Sequence, residues 1–171
     1  MFMTDAPQTM KQVYEEITQA GDPWISLGNF MNSWYDYHKT KRRMLVKEPL
    51  SLREDPTPEQ LRWATFCAAS VEYFCQKYAI PCPKWVHDPR YAYLPEPWFY
   101  SFHAHLERVR EELKEESPEP FKRRNIYVSR RIYANKYEIA EDLRNRRSAQ
   151  LHPKQLATEH IIEITTASCN S

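Results

Sequence analysis

The residues best suited to chemistry lie between Cys82 and His105, where one cysteine, three histidines and Asp88 share a short window. Cysteine, histidine and aspartate are ligand types that zinc accepts in proteins. Their spacing matches no zinc pattern, and His103 and His105 would point to different faces of a helix. We therefore expect no bound metal and no cofactor. His87 is instead expected to hydrogen-bond Asp88 or a backbone carbonyl.

Acid–base chemistry could centre on His87, with Asp88, Glu72 or Glu96 as its partner. Adjacent residues seldom act as a base and its orienting group, because their side chains leave the backbone in different directions. No serine or cysteine stands out as an activated nucleophile. The sequence thus favours a non-enzymatic role, leaves catalysis open, and keeps a hydrolase centred on His87 as a third hypothesis.

Glycine is unusually rare, since Gly21 and Gly28 are the only two in 171 residues. Phosphate-binding loops, dinucleotide fingerprints and nucleophile elbows all need closely spaced glycines, as do the tightest β-hairpins. The loops, fingerprints and elbows are thereby excluded, and a sandwich or barrel rich in tight hairpins is disfavoured. The chain is expected to consist of helices joined by proline-containing loops.

Residues 81–99, here called the proline–aromatic segment, contain five aromatic residues and five prolines. Proline fixes φ and lacks a backbone donor, so most of the segment can be neither regular helix nor central strand. Aromatic rings carry large apolar areas, so we expect the segment to pack across the body of the protein. Trp, Tyr and Arg are also enriched in binding interfaces. The partner contacts predicted in and just after this segment are Trp85, His87, Arg90, Trp98 and Tyr100.

A basic segment from Lys122 to Arg131 is the second candidate surface. It lies within residues 118–154, which contain ten Lys or Arg and four acidic residues. Such cations can bind phosphates, and a tyrosine ring can stack on a base. The predicted contacts are Lys122, Arg123, Arg124, Tyr127, Arg130 and Arg131. The alternative is that these cations pair with glutamates of the preceding helix, namely Glu111, Glu112, Glu115 and Glu116.

Apolar periodicity predicts about five helices, over residues 7–20, 23–46, 58–78, 101–116 and 130–147. Gly21 is expected to terminate the first helix, and Asp22-Pro23 and Thr57-Pro58 supply an N-cap followed by proline. Residues 125–128 form a short extended piece. We thus predict a mainly α, single helical domain over residues 1–149. Residues 150–171 are predicted as a partly disordered tail, with one possible edge strand at Ile161, Ile162 and Ile164.

Cysteine usage indicates a reduced compartment, because no CxxC motif and no secretory cysteine spacing is present. No signal peptide is recognisable at the N-terminus. No stretch approaches the ~20 apolar residues that a membrane span requires. We expect a cytoplasmic protein that does not enter the membrane.

Four stretches resemble, in the same order, a family of small uncharacterised bacterial proteins. They read RWATFCAASVE at 62–72, PCPKWVHDPRY at 81–91, LPEPWF at 94–99 and FKRRNIYVS at 121–129. Genes of that family often stand beside nucleotidyltransferases of the abortive-infection or toxin–antitoxin type. The resemblance implies, by this association, an antitoxin-like or accessory partner of such a protein. It implies no catalytic residue, because the family has no established activity.

Three functional hypotheses follow from these patterns. The leading one is a non-enzymatic protein-interaction module, with another protein, such as a nucleotidyltransferase-like one, as its partner. The alternative is a nucleic-acid-binding accessory protein that uses the segment from Lys122 to Arg131. The hydrolase centred on His87 is the third.

Overall fold

The computed structural model describes residues 6–135, 139–141 and 143–150. The chain divides into two compact units, Met1–Ile132 and Tyr133–Ser171. The predicted tail lies outside the described residues except for residue 150, so the tail, its strand and the boundary at residue 149 stay predictions. The fold is mainly helical, as expected. Within the described residues it has seven α-helices rather than about five.

The first unit is built from α-helices, short 3₁₀ turns and one small parallel sheet. Its α-helices are α1 (Met10–Thr18), α2 (Pro23–Asn32), α3 (Arg42–Val46), α4 (Pro58–Lys77), α5 (Glu107–Glu116) and α6 (Glu119–Lys122). Strands β1 (Trp98–Phe99) and β2 (Ile126–Tyr127) pair in parallel, with Trp98 opposite Ile126. In the second unit, residues 139–141 and 143–150 are helical.

Helix α4 forms the centre of the first unit. Thr57 caps its N-terminus in a capping box with Gln60, as the sequence predicts. Every residue from Trp63 to Glu72 is buried, so α4 is covered on all sides. It contacts α1, α6 and the two 3₁₀ turns of the proline–aromatic segment. The segment therefore does pack across the body of the protein.

The end of α1 shows why glycine is needed at one position. Ala20, and not Gly21 as predicted, adopts the left-handed conformation, with a φ of 66°. The Gly21 N–H then donates to the Glu16 carbonyl at 2.9 Å. A Cβ atom on Gly21 would lie 2.6 Å from that oxygen, so glycine is required by close approach rather than by its φ angle.

The second predicted helix is interrupted, which corrects the prediction of one helix from Pro23 to about Val46. After α2 the chain forms a π-helical turn, Ser33–Tyr37, and His38 leaves helical geometry with a φ of −131°. The freed carbonyl of Trp34 accepts a hydrogen bond from Arg42 Nε at 3.0 Å. This side-chain donor satisfies the polar group that the break exposes.

Two further helices differ at their starts from the predicted ranges. Helix α5 begins at Glu107 rather than near residue 101. Residues 130–133, the predicted start of the last helix, form turns, and the helical residues described after them are 139–141 and 143–150. The predicted extended piece at 125–128 is confirmed as β2. Among the described residues, no helix has the length and apolar character needed to cross a membrane.

Candidate functional site

The proline–aromatic segment is fixed to its surroundings by buried side chains and backbone hydrogen bonds. Val86, Tyr91 and Leu94 are almost completely buried. The Leu94 N–H donates to the Arg124 carbonyl at 3.0 Å, and Trp85 Nε1 donates to the Val46 carbonyl at 2.9 Å. The predicted contact residue Trp85 is thus half-buried and part of the scaffold on one edge.

Arg124 lies at the centre of the scaffold and not on its surface. Its side chain is 2% exposed, which corrects the expectation that it belongs to an exposed basic surface. Its Nη1 donates to Glu72 Oε2 at 2.6 Å and to the Pro120 carbonyl at 2.8 Å. Its Nε and Nη2 donate to the carbonyls of Tyr91 and Val86. The planar guanidinium therefore joins α4, α6 and the proline–aromatic segment.

Glu72 is the acidic partner of two consecutive arginines. Its Oε2 accepts from Arg124 and also from Arg123, whose side chain is 43% exposed. Burial lowers the pKa of the Arg124 guanidinium, and the hydrogen bond and charge of Glu72 oppose that shift. Arginine pKa values start so high that Arg124 stays charged at neutral pH. Glu72 and Arg124 therefore form a buried ion pair. With Arg123 included, the cluster contains two cations and one anion.

The other cations of the basic segment also have partners. Lys122 Nζ donates to the Glu115 carbonyl at 3.2 Å, and Arg130 Nε lies 4.0 Å from Glu116 Oε2. The predicted pairing with a glutamate of α5 is thus present for Arg130, whereas Lys122 donates to a backbone carbonyl of α5. The Arg131 N–H donates to the Ser129 hydroxyl, and its side chain is exposed.

Tyr127, predicted as a stacking residue, already stacks on a protein ring. Its ring lies parallel to Phe99, with centroids 4.8 Å apart. Arg110 and Lys114 lie over the ring of Phe99, at 5.5 and 5.9 Å from its centroid. One face of Tyr127 is therefore occupied within the fold.

Three aromatic rings and one arginine form a continuous patch, which we call the aromatic surface. It consists of Trp24, Arg62, Trp98 and Tyr100. Trp98 and Tyr100 pack edge to face at 5.4 Å, and Tyr100 lies 5.3 Å from Trp24. Trp63 lies beneath both, and the exposed Arg62 guanidinium is 5.3 Å from the Trp98 ring. The structure thus brings predicted residues Trp98 and Tyr100 together with Trp24 and Arg62.

His87 is exposed beside a small cavity of about 130 Å³ that Asp88 and Arg123 also line. Asp88 is engaged elsewhere: its carboxylate accepts from Arg90 Nε at 3.1 Å and from Arg90 Nη2 at 2.9 Å. These hydrogen bonds from Arg90 lower the pKa of Asp88. The described part of the chain contains no group of three or more His, Cys, Asp or Glu residues placed to hold a metal ion.

No family model, curated protein or solved structure matches this chain. The interpretation of its surfaces therefore depends on their geometry. Sequence reasoning missed Trp24 as a neighbour of Tyr100 and Arg62 as a neighbour of Trp98, because each pair is distant along the chain. It also missed the role of Glu72 toward Arg124. A signal for that role was present, since Glu72 stands in an otherwise apolar and small-residue stretch of the central helix.

Proposed function

We propose that this protein is a non-enzymatic interaction module that binds a partner protein through the aromatic surface. The observation that carries the proposal is the exposure of Trp24, 43% exposed, beside the half-buried Trp98 and Tyr100. Trp, Tyr and Arg are the residue types that supply most of the binding energy in protein interfaces. Their concentration in one patch supports binding over a purely structural role.

The packing beneath the aromatic surface supports the same function. Trp63, 8% exposed, and Phe66, fully buried, contact both Trp98 and Tyr100 with centroids between 5.0 and 5.8 Å apart. Rings held in this way lose little conformational freedom when a partner binds. Burial raises the pKa of the Tyr100 phenol, which keeps its hydroxyl neutral well above neutral pH.

The resemblance of residues 24–135 to small bacterial proteins suggests the class of partner. We infer that the partner is a nucleotidyltransferase-type protein and that this chain serves as its antitoxin-like or accessory subunit. The nucleic-acid alternative has less support, because Glu72 already engages Arg123 and Arg124. It remains an outcome of the experiment below.

The experiment compares Trp24→Ala and Arg62→Ala with the control Tyr37→Ala, which alters another exposed aromatic residue, outside the aromatic surface. Each tagged protein is purified from the native host, and co-purified proteins are quantified against wild type. The interaction is then measured calorimetrically with the purified partner. We expect loss of at least ~2 kcal/mol of binding free energy for Trp24→Ala, as for interface hot spots, and wild-type binding for Tyr37→Ala.

The proposal is wrong if no protein is enriched at near-stoichiometric levels, or if Trp24→Ala and Arg62→Ala retain the same partner at the same affinity. Nucleic acid in the eluate that disappears when Lys122 and Arg130 are changed to Gln would establish the alternative instead. Thermal melts of each variant exclude loss of folding as the cause.

A further inference from the structure

A second surface of the first unit lies between α3 and residues 81–84, where the chain leaves a cleft of about 390 Å³. Its cations come from both walls. Arg43 and Lys47 are four residues apart in sequence, with Arg43 in α3 and Lys47 at its C-terminal end, and Lys84 stands on the opposite wall. This cleft shares no residue with the aromatic surface, and its role does not depend on the proposed function.

The three cations of the cleft are exposed and have no acidic neighbour within it. Within the part of the chain that the structure describes, neither Arg43, Lys47 nor Lys84 forms an ion pair, and no acidic residue lines the cleft. Glu48 follows directly in sequence but pairs with Lys11 at 3.0 Å. The cleft therefore carries an excess of positive charge that the fold does not neutralise.

The floor of the cleft is apolar. Met44, 56% exposed, and the buried Val46 form one side, and Pro81 and Pro83 form the other. Prolines are rigid and lack a backbone donor, so Pro81 and Pro83 contribute apolar surface beside Lys84 and no N–H for pairing with a bound chain. The hydrogen bond from Trp85 Nε1 to the Val46 carbonyl ties the two walls together. The cleft is thus pre-formed.

We propose that this cleft binds an acidic peptide segment of a partner protein, with one apolar side chain on the floor and carboxylates paired to Arg43, Lys47 and Lys84. Charge complementarity selects an anionic ligand, and the apolar floor selects one with an apolar anchor. Nucleic acid would leave the floor unused, and none of the described residues that line the cleft has an aromatic ring to stack on a base.

The test uses three fluorescein-labelled peptides of the same length. The first has a central Leu flanked by Glu residues on both sides, the second replaces each Glu with Gln, and the third replaces the Leu with Ser. Binding is measured by fluorescence anisotropy in ~150 mM salt, where weak long-range attraction between charges is screened. We expect the Glu–Leu peptide to bind at least about tenfold more tightly than either of the others, a difference of ~1.4 kcal/mol.

Matched protein variants distinguish peptide binding in the cleft from a general effect of the protein's net charge. The double variant with Lys47→Glu and Lys84→Glu removes two cleft cations. The control with Lys39→Glu and Lys41→Glu makes the same change in net charge on exposed residues outside the cleft. We expect the first variant to bind the Glu–Leu peptide at least about tenfold more weakly than wild type. The control should change the affinity for this peptide less than about twofold. Thermal melts show that both variants remain folded.

Cys82 provides a local readout, because it lines the cleft and is half-buried. Saturating peptide should slow maleimide labelling of Cys82, measured by peptide mass spectrometry, and leave the slow labelling of the buried Cys75 unchanged. The proposal is overturned by equal binding of the Gln peptide or by equal losses in the two double variants. It is also overturned by unprotected Cys82, or by tighter binding of duplex DNA or anionic vesicles that the Lys47, Lys84 variant abolishes.

Discussion

Two basic segments of the first unit have the same number of cations and opposite surroundings. Residues 39–47 contain five Lys or Arg and no acid, and residues 122–131 also contain five and no acid. In residues 122–131, Arg123 and Arg124 pair with Glu72, and Arg130 lies near Glu116. In residues 39–47, Arg42 packs on the rings of Trp34 and Tyr78, and the other four cations are exposed.

The difference shows that the density of basic residues along a chain does not locate a basic surface. One buried acid decides the outcome: Glu72 on α4 draws Arg124 into the core and holds Arg123 beside it. Among the described residues no acid pairs with the cations of residues 39–47, and four of the five stay exposed. Residues 122–131, which the sequence analysis identified as a candidate surface, stabilise the fold through Arg123 and Arg124. Residues 39–47, which it did not identify, contribute Arg43 and Lys47 to a cleft.

The largest loss of stability among the variants that test this comparison is expected for Glu72→Ala. The change leaves the guanidinium of Arg124 buried without a counter-charge, which costs ~3–5 kcal/mol when a buried pair is broken. Urea denaturation measures the loss in free energy of unfolding. The control Glu112→Ala removes the exposed partner of Arg108 and should cost less than ~1 kcal/mol. Similar small losses for both variants would show that Arg124 is not tied to Glu72.

A conservative change within the basic segment sharpens the comparison further. Arg124→Lys keeps the positive charge but loses the planar fork that reaches Glu72 and three carbonyls, so we expect a loss of ~2–3 kcal/mol. Arg123→Lys, at a side chain 43% exposed, should cost less than ~1 kcal/mol. Equal costs at both positions would contradict the burial difference between them.

The exposed pair of Asp88 and Arg90 provides a smaller effect with a defined pH dependence. Arg90 lowers the pKa of Asp88 below its model-compound value of 3.8, so the stabilisation is present above that pH. It is lost as the pH falls through the lower pKa of the folded protein. Asp88→Ala should therefore cost at most ~1 kcal/mol at pH 7, and wild type and variant should converge once the pH lies below the lowered pKa of Asp88 in the folded protein. A difference that persists in acid would mean that Asp88 acts through something other than its charge.

The smallest change in stability is expected for the exposed cations of residues 39–47. Changing Lys39, Lys41 and Lys47 to Gln should alter the free energy of unfolding by no more than ~0.5 kcal/mol, because exposed side chains without partners contribute little. The same variant should elute from a heparin column at lower salt than one with Lys122, Arg130 and Arg131 changed to Gln. The reverse order of elution would restore residues 122–131 as the basic surface.

Local chemistry made part of this fold predictable from the sequence. The helix starts at Pro23 and Pro58 were predicted because an N-cap and its proline lie side by side. The extended piece at 125–128 and the packing of the proline–aromatic segment were predicted for similar reasons. The break at His38 was not, because it depends on Arg42 reaching back to the carbonyl of Trp34.

The candidate sites were less predictable, because their residues meet only through tertiary contacts. Glu72 and Arg124 lie 52 positions apart, and Trp24 contacts Tyr100 although the two are far apart along the chain. No periodicity links such residues. The sequence did indicate that Trp98 and Tyr100 were candidates for binding, because aromatic residues are concentrated there. It could not indicate that Lys84 faces Arg43 across a cleft.

Arginine modification by phenylglyoxal tests most directly the claim that Glu72 removes Arg124 from the surface while Arg43 remains available. The native protein is treated briefly, and the extent of reaction at each arginine is measured by peptide mass spectrometry. Because a buried group reacts only when the structure opens, we expect Arg43 to react at least ~100-fold faster than Arg124, with Arg123 between them. In the Glu72→Ala variant the protection of Arg124 should fall. Reaction of Arg124 at the rate of Arg43 in the native protein would contradict the account.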